Sequence, residues 1–205
     1  MPKPRKLAAD SLRRRGPRRE PYPRILIVCE GEVTERVYFS HLRHAERIPI
    51  TLQIEAGGVP KTLVEKAVRL MKDAAQSPDP NDHFDQVWCV FDIDEHPEDR
   101  GRKTASREPR NQFGNLQPCF DLWILLHYED LSQHTHRHKV QKACAKHIPG
   151  YLKFPPCEEL FERYTQAEQR AVDLNKWHGS RGTQGANPST NAHELVAKIR
   201  SYPRP

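Results

Sequence analysis

Paired cysteines, long apolar runs and internal repeats are all missing from this sequence. The five cysteines stand at 29, 89, 119, 144 and 157, an odd number with no CxxC spacing. That pattern argues against a disulfide framework and against a structural zinc. Cys29 and Cys89 fall inside apolar runs and read as small buried hydrophobes of a reduced, cytoplasmic protein. No stretch approaches the roughly 18 apolar residues that a membrane span needs. The N-terminus has no apolar core of the kind a secretory signal carries. No internal repeat is visible.

Charge, by contrast, is plentiful. Charged residues make up 29% of the 205 positions and hydrophobic ones 36%, enough for one α/β domain with a modest appendage. A net charge of +6 and a pI near 9.1 suit an anionic partner, nucleic acid first. The positive charge is unevenly placed, with Lys3, Arg5, Lys6, Arg13, Arg14, Arg15, Arg18, Arg19 and Arg24 all near the start. Prolines at 2, 4, 17, 21 and 23 oppose a helix there. Residues 1–23 are therefore expected to form a basic, disordered tail, with a phosphate-contacting arm as the sharper alternative.

Ile25 to Cys29 is a short continuous apolar run, as a central parallel strand requires. A helix follows over 34–44, a second strand near 50–54, and a helix opened by Pro60 with Leu63, Val64, Ala67, Val68, Leu70 and Met71 on its apolar face. QVWCVF (86–91) is the third strand. This β-α-β-α-β order predicts an open, mostly parallel sheet with right-handed crossovers. Residues 98–117 break the pattern, with almost no apolar periodicity. Helices are then expected over 119–127, about 134–147, 156–174 and 191–201, with PSTN (188–191) as a cap for the last. This divides the chain into the tail, a catalytic domain over 24–130 and a helical C-terminal extension over 131–205.

Two of the three strands run into acids: Glu30 after the first, Asp92 and Asp94 after the third. Ligands of open parallel sheets bind beyond the carboxyl ends of the strands. Three hard oxygen ligands converging there suit Mg²⁺ or Mn²⁺, and such an ion supports phosphodiester hydrolysis. Gly31 permits close backbone approach to a phosphate; Thr34, opening the next helix, and Lys153 are further phosphate candidates. Each acidic motif alone has a structural alternative, as helix N-terminal acids or as turn residues. Glu32 and Glu35 are read that way, as serving the start of the helix.

ILIVCEGEVTERVYF, VWCVFDIDEHP, PCFDLWILLHYED and NPSTNAHELV, in that order, resemble the RloB-like family, and Glu30-Gly31 with Asp92-Ile93-Asp94 look like a Toprim catalytic domain. The resemblance implies a Toprim-like fold, a metal-dependent nuclease acting on DNA or RNA, and a setting in bacterial anti-phage or abortive-infection defence near type I restriction-modification loci. It implies Glu30 as general acid/base or metal ligand, and Asp92 and Asp94 as metal ligands. Glu35, Glu95, His96 and His127 are secondary candidates. An AAA/ABC-type ATPase encoded nearby is the implied partner. The rival function is a non-catalytic nucleic-acid-binding or regulatory subunit serving that ATPase.

One block departs from the family pattern. Before PCFDLW an apolar strand ending in Ser-Asn is expected, whereas this chain has NQFGNLQ over 111–117. Read one base later, the codons for those residues can spell INLAISN, the missing strand. Residues 99–117 are thus read as a frame-shifted segment, which would cost this copy a helix and a strand beside the active site and put its activity at risk. The alternative is a basic surface loop, with Arg100, Arg102, Lys103, Arg107 and Arg110 touching nucleic acid. HTHRH (134–138) is read as a solvated polar segment, and Trp123 and Trp177 as packing residues.

Overall fold

The computed structural model describes residues 23–47, 51–56, 60–92 and 111–202. The expected strands and helices are present: β1 (Arg24–Cys29), α1 (Thr34–Ala45), β2 (Thr51–Ala56), α2 (Pro60–Ala75), β3 (Gln86–Asp92), α3 (Asp121–Leu126), α4 (Arg137–His147) and α7 (Ala192–Arg200). Three features differ from expectation. The helix expected over 156–174 is two, α5 (Cys157–Glu162) and α6 (Tyr164–Gly179), meeting at Arg163. Ser189–Thr190, expected as a cap, forms a short strand β5. Thr190 still serves the helix start, its Oγ1 accepting from Ala192 N at 3.1 Å.

The third difference is the most consequential. Asn111–Gln117 forms strand β4, paired in parallel with β3 from Val87↔Asn111 to Asp92↔Leu116. The strand held to be lost is present in the backbone despite its four amide residues and Gly114. The five-stranded mixed sheet runs β2-β1-β3-β4-β5, with only β5 antiparallel. Interior strands of parallel sheets are ordinarily apolar throughout, and glycine weakens them. Replacing 111–117 by INLAISN is therefore expected to raise the melting temperature by roughly 5 °C or more in differential scanning calorimetry. An unchanged or lower value would mean that the polar strand is adapted to its place. The gene's codons test the frame itself.

β1 is buried on both sides, and period-two alternation explains why it reads as an unbroken apolar run. Ile25, Ile27 and Cys29 join Trp88 and Val90 in the larger core, with Tyr38, Phe39, Trp123, Leu174 and Ile199 from the helices. Leu26 and Val28 face the other way, onto Leu63, Ala67 and Phe84. Helices thus cover both faces, and β1 and β3 can only point their open ends at one edge. That edge carries the acids.

Candidate active site

Glu30 leaves β1 with its amide still on the ladder, donating to Val90 O at 2.9 Å. One step further, the side chain replaces backbone: Glu30 Oε2 accepts from Asp92 N at 3.1 Å. β1 and β3 are neighbours in parallel register, so the strand ends bring Glu30 and Asp92 together across 62 residues of sequence. Asp92 is buried; its Oδ1 accepts from Phe120 N at 3.2 Å, and its Oδ2 pairs with Arg137 Nη2 at 3.0 Å. Both residues line a cavity of about 600 Å³, together with Gly31, Thr34, Glu35, Cys119, Phe120, Asp121, His138, Gln141 and Lys153.

Glu35 stands in the first turn of α1, as a dipole-complementing acid would, yet it is only 5% exposed and lines the cavity rather than facing bulk water. Burial pushes its carboxyl up to about 7, opposed mainly by a backbone hydrogen bond; the charges of Asp121 and Glu30 add to the rise and Lys153 slightly opposes it. Gly31 explains how it fits. A Cβ on Gly31 would overlap the Glu35 carboxylate. The Glu35 carboxylate occupies space that a side chain at position 31 would claim, so its present position depends on the glycine. Gly31→Ala is expected to push aside the Glu35 carboxylate, the far end of a flexible side chain, at a cost of up to about 1 kcal/mol, and at less in a Glu35→Ala background. Equal losses in both backgrounds, by urea denaturation, would remove this coupling.

Asp121 was not singled out from the sequence. It opens α3 and is buried, with its oxygens accepting from Gln141 Nε2 at 2.9 Å and from the Tyr151 hydroxyl. Its signal was available: it is the one charged residue in the apolar run CFDLWILL. Arg137 had no such signal, since only the packing of α4 against α3 brings it to Asp92. His138 of the HTHRH segment also lines the cavity.

Lys153 reaches the same cavity from the loop after α4. Its φ is 65°, a left-handed conformation that costs a non-glycine residue on the order of 1–3 kcal/mol. Thr34, buried, holds that loop, its Oγ1 donating to Lys153 O at 3.1 Å. His127 does not line the cavity: it is buried beside Trp123 and Tyr38, Nδ1 lies 2.8 Å from Trp123 O, and burial lowers its pKa to about 4. Asp94, Glu95, His96 and residues 98–110 lie outside the described residues.

Burial drives the Asp92 carboxyl well above its usual range, with the charges of Glu35, Glu30 and Asp121 adding to it and Arg137 opposing. Five carboxylates line the one cavity, Glu30, Glu32, Glu35, Asp92 and Asp121; they offer hard oxygen donors, and a divalent cation would relieve their repulsion. In donor chemistry the site fits Mg²⁺ or Mn²⁺. Among the described residues, however, no group of three or more His, Cys, Asp or Glu is arranged to hold a metal ion.

The architecture is thus that of an α/β protein with an acidic cavity at the carboxyl ends of adjacent parallel strands. A family model for RloB-like proteins matches residues 25–199, and the chain belongs to that family. No curated protein and no solved structure matches it. No helix among the described residues is long and apolar enough to cross a membrane.

Proposed function

We propose that this chain is a Toprim-type, metal-dependent nuclease that hydrolyses phosphodiester bonds of DNA or RNA in bacterial antiviral defence, working with an ATPase encoded nearby. The observation that carries this reading is the convergence of Glu30, Glu35, Asp92 and Asp121 on one cavity at the ends of β1 and β3 and the starts of α1 and α3. Asp92 and Glu30, with Asp94, would hold Mg²⁺ or Mn²⁺. The ion, when bound, would neutralise charge developing on the phosphate and lower the pKa of a water. The protein's own groups do the rest. Glu35 exchanges a proton near neutral pH, as removing one from an attacking water or giving one to the leaving oxygen requires. Lys153 and Arg137 supply positive charge for the non-bridging phosphate oxygens.

A second reading rests on one contact. The Arg137 guanidinium occupies Asp92 Oδ2, where a metal ligand would be needed, which suits a non-catalytic nucleic-acid-binding or regulatory subunit. The purified protein, with and without its ATPase, should be incubated with DNA and RNA in Mg²⁺ and Mn²⁺. Metal-dependent cleavage that Glu30→Gln and Asp92→Asn remove supports the nuclease; binding without cleavage supports the regulatory subunit.

A further inference from the structure

Three large hydrophobic side chains stand exposed among the described residues: Leu152 at 79%, Phe154 at 66% and Trp177 at 37%. Trp177 has a local partner, the Arg181 guanidinium 4.2 Å from its ring centre. Leu152 and Phe154 instead bracket Lys153, the loop residue that lines the acidic cavity. The display is built rather than incidental. Lys153 is held in its left-handed conformation by the buried Thr34 hydroxyl, and Pro155-Pro156 stiffen the chain immediately after Phe154. One step of chain, about 3.8 Å between Cα atoms, separates each apolar side chain from the cation.

An aromatic face, an aliphatic neighbour and a cation between them match one kind of ligand in particular. A nucleotide freed from its stack offers an apolar base face together with a phosphate, and single-stranded nucleic acid is bound by this combination. A duplex keeps its base faces stacked internally and leaves Phe154 nothing to cover it. We propose that Leu152-Lys153-Phe154 is a platform for an unpaired nucleotide, the base stacking on Phe154 while Lys153 meets the adjoining phosphate at the cavity mouth. Resting on the phosphodiesterase reading above, this narrows the substrate to single-stranded segments, loops or overhangs.

The test is equilibrium binding of the full chain in EDTA, so that no turnover intervenes. The probes are labelled single-stranded DNA, single-stranded RNA and a blunt duplex of the same sequence. Phe154→Ala is expected to weaken binding to one or both single strands about tenfold or more, with duplex binding unchanged. Phe154→Tyr, which keeps the ring, is expected to stay within about twofold of wild type. The stronger of the two single-strand arms identifies RNA or DNA as the ligand. Equal loss on single strand and duplex overturns the platform, and so does no loss on either. A shift from dimer to monomer in sedimentation, with nucleic-acid binding unchanged, overturns it in favour of a second copy on the patch. Phe154-dependent binding without cleavage of any substrate removes the nuclease reading and leaves the platform. Cleavage of single strands with Phe154-independent binding removes the platform alone.

Discussion

Glu30→Gln and Asp92→Asn are each expected to lower metal-dependent cleavage by at least about 10²-fold while leaving nucleic-acid binding in EDTA nearly intact. The two acids sit on different strands and are joined by one hydrogen bond, from Asp92 N to Glu30 Oε2. In Glu30→Gln the side-chain amide oxygen can still accept that bond, so the strand ends stay in register and only the negative charge is lost. Asp92→Asn likewise keeps an oxygen for Phe120 N and removes the charge that faces Arg137. With that oxygen committed to Phe120 N, the new amide nitrogen faces the Arg137 guanidinium donor, so Asp92→Asn is expected to cost about 1–3 kcal/mol of stability, and thermal unfolding must show each variant folded at the assay temperature. Single-turnover cleavage in Mg²⁺ and Mn²⁺ is the measurement. Cleavage at the wild-type rate by both variants would end the assignment of this cavity as the active site.

Glu35→Gln is expected to change how stability depends on pH. The Glu35 carboxyl titrates near 7 in the folded protein, against 4.5 for an ordinary glutamate. The folded state thus holds this proton more tightly than the unfolded chain does. Its contribution is fully present below about 4.5 and is lost as pH rises through about 7. At 1.36 kcal/mol per pH unit, the wild type should lose on the order of 3 kcal/mol across that window relative to the glutamine variant, or roughly 6–12 °C in melting temperature. Asp92 shifts in the same direction, and relaxes further once Glu35 is neutral. His127, lowered from 6.5 to about 4, acts oppositely, since stability falls as pH drops through that range. His127 is common to both proteins, so its effect cancels in the difference. Urea denaturation of the two proteins at pH 4.5 and 7.5 provides the measurement. Parallel pH profiles would show that Glu35 is charged and solvated like any surface acid.

The alternation of β1 and the apolar face of α2 were legible because burial on two faces, or on one, leaves a period in the sequence. β4 left none. NQFGNLQ carries no strand pattern, and its place between β3 and β5 rests on backbone pairing with both. The site divides in the same way. Glu30 and Asp92 could be found because each follows a buried strand, where the geometry of a parallel sheet sends the chain into the ligand-binding crevice. Glu35 is a secondary site candidate from the family resemblance, but its sequence position fits a helix-start acid equally well, and only burial places it in the cavity.

By itself, then, the sequence determined the mixed α/β class, the apolar interior of β1 and β3, and the edge of the sheet at which acids emerge. These follow from periodicity and chain direction, which are local. The tertiary structure alone decided that Asp121 and Arg137 join that edge, and that Glu35 is neutralised to half its charge near pH 7. Proximity across long stretches of chain and loss of water on burial set those properties, and neither is written in the spacing of residues.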